Sequence, residues 1–270
     1  MSLLNAICPL WSLDERDWPE FIGSSTLLRF GDAHFLITCA HVMDNARQRE
    51  VFFIGNGTLV RLSGRGRITN PPPGGTRETD RADSSFLHLT KETAQAMQDS
   101  YHFATAYEMA VGQAAATSTN YTFIGYPENL ARPRGRGVLR PEERSLTAGA
   151  MTDADFSILN LSPLTHVGVR LGGGPLTDLA RRPANLPVLN GISGGPVLMH
   201  FHEAVQNPTV VPRLVGLCME RPREHPDVLL GVRLAAVLQG IRDRYPELSS
   251  LIPNDPDVKV IPNRPNLAGS

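Results

Sequence analysis

The chain has 270 residues and a net charge of −1, with 41% hydrophobic and 20% charged residues. This composition excludes a mainly disordered chain, and the balanced charge gives no electrostatic footprint for nucleic acid or for an anionic membrane. The 24 glycines and 22 prolines favour a turn-rich protein over a helix bundle.

Three widely spaced cysteines, Cys8, Cys39 and Cys218, form neither a disulfide framework nor a zinc-binding pattern. No apolar run reaches the about 18–20 residues of a membrane span. The N-terminal sequence also has no basic residue before Arg16, which is unlike a secretory signal. We therefore expect a soluble cytoplasmic protein that has no membrane partner.

Short β-like runs separated by turn residues dominate the first half of the chain. Two hairpins are predicted, because glycine-containing turns at 31–32 and 55–57 separate apolar runs. Their strands are predicted at Ser25–Phe30, His34–Thr38, Val51–Ile54 and Thr58–Leu62. Residues 65–75 are predicted as a loop, 85–89 as a strand and 91–100 as a short helix.

The second half continues with short strands and ends in one amphipathic helix, Leu234–Tyr245. Its strands are predicted at Tyr121–Ile124, Phe156–Leu161, His166–Leu171, Pro196–His200, Arg213–Cys218 and Val228–Val232. The pattern predicts an all-β protein with two antiparallel barrels and a C-terminal helix. We expect an N-terminal extension at 1–21, a first barrel at 22–112, a second barrel with the helix at 113–250, and a Pro/Asn-rich tail at 251–270.

The segment Asn190-Gly191-Ile192-Ser193-Gly194-Gly195-Pro196 is suited to nucleophilic chemistry. Glycines let the backbone turn sharply and leave N–H groups beside the Ser193 hydroxyl, where they can bind an oxyanion. The plain alternative is a glycine-rich turn between strands. A G-x-S-x-G elbow of the α/β-hydrolase kind is disfavoured, because a strand rather than a helix follows and no histidine follows Asp227.

Two further segments supply the partners that such a serine needs. His41 closes the apolar run LITCAHV, and Asp83 precedes the alternating strand SFLHL. Asp80 is the competing carboxylate, but it follows a polar loop and is expected to be solvated. The order His41, Asp83, Ser193 matches one known order of the serine-peptidase triad.

These three motifs, TCAHV, DSSFLHL and NGISGGPVL, resemble those of chymotrypsin-like serine peptidases across about 22–245. The resemblance implies two six-stranded antiparallel barrels with an active site between them. It implies His41 as general base, Asp83 as its orienting acid, Ser193 as nucleophile, and the N–H groups of Gly191 and Ser193 as the oxyanion hole.

The resemblance also places a substrate pocket near Pro187, Val188, Glu220 and Arg233. Pro187 and Val188 would favour an uncharged side chain, whereas Arg233 would attract an acidic one unless Glu220 neutralised it. Two positions depart from the family pattern. Ile192 stands where members activated by cleavage carry an aspartate, and Met219 stands where many carry a small hydroxyl residue that contacts the triad aspartate.

We therefore expect an intracellular serine endopeptidase, regulated or acting as an effector, with protein or peptide substrates and an activating or inhibiting protein partner. A further interpretation is an effector peptidase that stays idle until a partner or ligand orders its loops. The alternative is a catalytically idle binding module with the same fold. No cofactor and no metal ion is expected, since no metal-binding or phosphate-binding motif occurs in the sequence.

Overall fold

A computed structural model describes residues 3–46, 49–71, 73–77, 80, 82–112, 120–131, 139, 141–171, 177, 190–200, 211–220, 222 and 224–255. Within these residues the strands form two antiparallel sheets, one from each half of the chain, apart from one short parallel pairing in the first sheet.

The first sheet contains eight strands, with β8 pairing parallel to β2 beside the path β5-β4-β1-β2-β3-β7-β6. The strands are β1 (Ile7–Leu13), β2 (Pro19–Phe30), β3 (Ala33–Thr38), β4 (Phe52–Gly55), β5 (Thr58–Arg61), β6 (Gly64–Ile68), β7 (Ser85–Leu89) and β8 (Ala104–Thr105). Asn56 and Gly57 both adopt positive φ at the β4–β5 turn, as a tight hairpin with right-twisted strands requires.

The second sheet contains six strands in the order β10-β9-β12-β13-β14-β11. They are β9 (Asn120–Gly125), β10 (Arg144–Gly149), β11 (His166–Arg170), β12 (Pro196–His200), β13 (Arg213–Glu220) and β14 (Val228–Arg233). β13 and β14 are buried along almost their whole described length, so both faces of the sheet are covered there.

The described residues contain five α-helices: α1 (Ala40–Asn45), α2 (Lys91–Gln98), α3 (Glu128–Ala131), α4 (Asp153–Ile158) and α5 (Leu234–Arg244). Short 3₁₀ turns lie at Leu3–Ala6, Ala106–Glu108 and Pro246–Leu248. The predicted apolar face of α5 is buried, including Leu234, Leu238 and Ile241. Among the helices described, none is long and apolar enough to cross a membrane.

The predicted fold class is confirmed in the described residues: the protein is mainly β, with two curled antiparallel sheets and a C-terminal helix. The first sheet has eight strands rather than six. The prediction of an N-terminal extension at 1–21 needs correction, because β1 pairs with β2 and with β4. Leu10 and Trp11 of β1 are fully buried in the first half of the molecule.

Two other elements differ from their predictions. Phe156–Leu161 was expected to be a strand, but residues 153–158 form α4 because Thr152 and Asp155 make a reciprocal capping box at its N-terminus. Gly64–Ile68 falls largely in the predicted loop, yet it forms β6 against β7. Gly66 is needed there, since a Cβ at this position would lie 2.2 Å from the carbonyl oxygen of Phe86.

Candidate active site

His41 and Asp83 are in direct contact. The Nδ1 atom of His41 lies 2.5 Å from a carboxylate oxygen of Asp83, and the backbone N–H of His41 donates to the other carboxylate oxygen at 3.0 Å. His41 is the second residue of α1, where backbone N–H groups have no partner within the helix. Asp83 therefore caps this helix and orients its imidazole at the same time.

The two groups differ sharply in exposure. The Asp83 side chain is 4% exposed, whereas the imidazole of His41 is 33% exposed. A buried carboxylate without a partner is costly, so the contact with His41 is also what makes the burial of Asp83 tolerable. One ring edge of His41 faces this carboxylate, and part of the ring is exposed to solvent.

Asp80 does not occupy this place, and the expectation that it would be solvated is wrong. It is 4% exposed. Its carboxylate pairs with the guanidinium of Arg77 and accepts hydrogen bonds from Thr69 Oγ1 at 3.1 Å and the backbone N–H of Ala82 at 3.0 Å. Burial opposes the charge on Arg77, but hydrogen bonds to Asp44 and Asp80 raise the pKa of Arg77 above its ordinary value. Asp80 is thus a structural anchor of the loop before β7.

The loop that carries Ser193 is held by its carbonyl groups. Each carbonyl from residue 190 to residue 194 accepts a hydrogen bond. The carbonyl of Asn190 accepts from the N–H of Glu128 at 2.8 Å, and that of Gly191 accepts from the hydroxyl of Ser24 at 2.9 Å. The carbonyls of Ile192 and Ser193 accept from the N–H groups of Gly195 and Ser24, both at 3.0 Å. The carbonyl of Gly194 accepts from the hydroxyl of Thr26 at 3.1 Å. Because each peptide unit is planar, fixing these carbonyls fixes the direction of the N–H groups between them.

The N–H groups of residues 191–193 behave differently. Across the described part of the chain, none of the three donates a hydrogen bond. The C=O and N–H of a trans peptide point in opposite directions, so the hydrogen bond from Glu128 to Asn190 turns the N–H of Gly191 away from α3. The result is a fixed set of backbone donors beside Ser193, as an oxyanion hole requires.

Glycine is needed at residue 191 for this geometry. Gly191 has a φ of +93°, and a Cβ there would lie 2.7 Å from the Phe21 ring and 2.8 Å from the carbonyl oxygen of Tyr126. The side chain of Ser24 contacts both Gly191 and Tyr126. Its hydroxyl donates to Gly191 and accepts from the N–H of Tyr126 at 2.9 Å, so one side chain of β2 joins two segments of the second half.

The roles of Ser24 and Thr26 in holding the serine loop were not predicted from the sequence. Both are fully buried within β2. The run Ser24-Ser25-Thr26 was a usable signal, since three consecutive polar residues in an otherwise apolar strand need buried hydrogen-bond partners.

The hydroxyl of Ser193 donates to the backbone carbonyl of Met219 at 2.8 Å. The thiol of Cys39, two residues before His41, donates to the preceding carbonyl, that of Cys218, at 3.1 Å. Consecutive carbonyls of β13 thus contact the serine loop and the residue that precedes α1. The donor atoms of Cys39, His41 and Asp83 all lie within 4.8 Å of one another, and these three residues are the set in the described chain that could hold a metal ion.

Of the four residues predicted to line a substrate pocket, the structure describes Arg233 in full and Glu220 in part. Pro187 and Val188 lie outside the described residues, and for Glu220 only its place at the end of β13 is defined. Arg233, at the end of β14, is 7% exposed, and its Nε donates to the carbonyl of Pro163 at 2.5 Å. The side chain of Arg233 is therefore buried at the end of β14, where it binds the backbone of Pro163.

Comparison with protein-family models and with curated proteins gives no match. Among solved structures, one from work on the coupled folding and binding of the Sesbania mosaic virus VPg protein has 13% identity, a TM-score of 0.44, and covers 86% of this chain and 93% of its own. The apo MamO protease domain of Magnetospirillum magneticum has 11% identity, a TM-score of 0.43, and covers 90% of this chain and 97% of its own. Neither similarity carries information about the role of any residue in this chain.

Proposed function

We propose that the protein is a serine endopeptidase in which Ser193 attacks the scissile carbonyl. The observation that carries this proposal is the contact of both carboxylate oxygens of Asp83 with His41. Such a contact keeps a proton on Nδ1 and leaves Nε2 to accept the hydroxyl proton of Ser193. It also stabilises the imidazolium that forms when the proton is transferred.

The serine loop supports the same chemistry. The carbonyls of residues 190–194 all accept hydrogen bonds, while the N–H groups of residues 191–193 donate none within the part of the chain that the structure describes. In the proposed reaction the N–H groups of Gly191 and Ser193 bind the oxyanion of the tetrahedral intermediate. Backbone donors held by other parts of the fold need no reorganisation when this charge develops, which is the source of their effect on rate.

The Ser193 hydroxyl must first leave the carbonyl of Met219. Rotation of the side chain turns its proton from Met219 to Nε2 of His41, and the freed oxygen attacks the peptide carbon. His41 then gives the proton to the leaving amine, and water hydrolyses the acyl-enzyme by the same steps.

The proposal is tested by hydrolysis of an unstructured protein substrate by wild type and Ser193→Ala. We expect the substitution to lower turnover by at least about 10³-fold while the protein stays folded. Ser157→Ala on the surface helix α4 is the matched control and is expected to hydrolyse like wild type. Equal hydrolysis by Ser193→Ala and wild type would exclude Ser193 as the nucleophile, and a folded wild type without hydrolysis or active-site labelling would favour an idle binding module.

A further inference from the structure

Cys39 contributes a buried thiol that the proposed hydrolysis does not use. Its sulfur lies within 4.8 Å of donor atoms of both His41 and Asp83. We propose that these three residues form an inhibitory site for a zinc-like transition-metal ion. The ion would take the place of the proton that now lies between His41 and Asp83.

The donor set fits such an ion. Thiolate sulfur, imidazole nitrogen and carboxylate oxygen are the ligands that zinc uses in proteins, and three protein ligands leave a fourth position for water or a hydroxyl group. Cys39 and Asp83 are held on rigid parts of the fold, at the N-terminus of α1 and just before β7. Two of the three ligands are thereby fixed before any ion arrives.

The observed spacing shows what must move. Two ligands of a tetrahedral zinc ion lie about 3.4 Å apart, since zinc–nitrogen and zinc–oxygen bonds are about 2.0–2.2 Å long. His41 Nδ1 and Asp83 are now 2.5 Å apart, so the imidazole has to swing outward by about 1 Å. The partial exposure of the imidazole to solvent allows this movement, whereas Asp83 is buried.

Binding at this site releases one proton. The Cys39 thiol loses its proton to solvent as it becomes a thiolate ligand, and the proton on Nδ1 of His41 moves by exchange with solvent to Nε2, so that Nδ1 can bind the ion. A protonated Nε2 cannot accept the proton of Ser193, and Asp83 no longer orients the ring. Inhibition rests on the proposed function, whereas metal binding does not require it.

The first experiment measures binding without any reference to activity. Wild type and Cys39→Ala are titrated with Cd²⁺, whose bond to a thiolate gives an ultraviolet charge-transfer band. Cys8→Ala and Cys218→Ala are matched controls, because both remove another fully buried thiol. We expect one equivalent of Cd²⁺ to produce the band in wild type and in both controls, and no band in Cys39→Ala.

The second experiment measures Zn²⁺ inhibition of each variant relative to its own activity without metal. We expect the inhibition constant for Zn²⁺ to be at least about 100-fold higher in Cys39→Ala and Cys39→Ser than in wild type. In the two control variants the inhibition constant should match that of wild type. Absence of the Cd²⁺ band from folded wild type, or its persistence in Cys39→Ala, would overturn the metal site. A band at Cys39 in a protein without hydrolytic activity would leave the site standing and refute the proposed function alone.

Discussion

Asp83 and Asp80 are three residues apart and equally buried, yet their surroundings assign them different tasks. Asp83 contacts both the backbone and the imidazole of His41. Asp80 contacts Arg77 and the backbone of Ala82, which lie in its own loop, and Thr69, which directly follows β6. The carboxylate of Asp83 orients His41, whereas the carboxylate of Asp80 stabilises the loop that positions Asp83.

Substitution by asparagine separates these tasks. We expect Asp83→Asn to lower turnover by about 10⁴-fold, the size of a wrong-tautomer effect, with little loss of stability. Asp80→Asn should keep the turnover of each folded molecule close to wild type but lower the free energy of unfolding by about 1–3 kcal/mol, since Arg77 loses a charged partner. Steady-state kinetics and urea denaturation of both variants check this, and the reverse pattern would contradict it.

The sequence carried enough information to identify His41, Asp83 and Ser193 as candidates, because each stands in a recognisable local pattern. It could not reveal the environment of Asp80. That environment depends on β6, whose glycine and arginine residues do not look like a strand. Thr69, which follows β6 directly, becomes a neighbour of Asp80 only when β6 pairs with β7.

At the scale of elements, β2 connects the two halves at the serine loop. The backbone and hydroxyl of Ser24 and the hydroxyl of Thr26 donate to three carbonyls of the loop. Tyr126 also donates to the Ser24 hydroxyl. A strand of the first sheet therefore sets the direction of the backbone donors next to Ser193, which makes Ser24 a positioning residue.

Removing the Ser24 hydroxyl should loosen the candidate oxyanion hole. We expect Ser24→Ala to lower kcat by about 10- to 100-fold with little change in KM, because the negative charge on the oxygen develops only after the substrate has bound, and small misplacements of the donors are costly. Ser25→Ala is the matched control, since its hydroxyl donates to Cys8 within the first sheet at 2.9 Å. Equal kcat for Ser24→Ala and Ser25→Ala would refute the positioning role.

Most strands and α5 could be predicted from periodicity and turn residues, but α4 and β1 could not be assigned correctly. The apolar residues of 156–161 alternate like a strand, and the capping box at Thr152 outweighs that pattern. β1 contains Pro9 and follows only six residues, so nothing local indicates that it pairs with both β2 and β4. Such pairing is a long-range property.

At the scale of the whole molecule, the two sheets meet closely at Gly194. Its φ is +87°, and a Cβ there would lie 2.1 Å from Thr38 Oγ1 and 2.2 Å from the carbonyl oxygen of Ser24. Both atoms belong to the first sheet, whereas Gly194 leads into β12 of the second. The join between the halves thus has no room for a side chain.

This close approach predicts a large difference between two glycine substitutions. Gly57→Ala should cost about 1 kcal/mol, because Gly57 has a φ of +79° but nothing lies within 4 Å of an added Cβ. Gly194→Ala carries similar strain and a clash in addition, so we expect a loss of more than about 3 kcal/mol. Urea denaturation measures both, and similar losses would show that the halves are not tightly joined there.

Covalent labelling by a fluorophosphonate reveals whether the fold activates Ser193 as a nucleophile, because the probe reacts with activated serines. We expect Ser193 of wild type to displace fluoride from the probe, so that the protein carries one label, located at Ser193 by peptide mass mapping. Ser193→Ala should take up no label, and His41→Ala should label at least about 10³-fold more slowly. Folded wild type that stays unlabelled, or a label at another serine, would contradict the account.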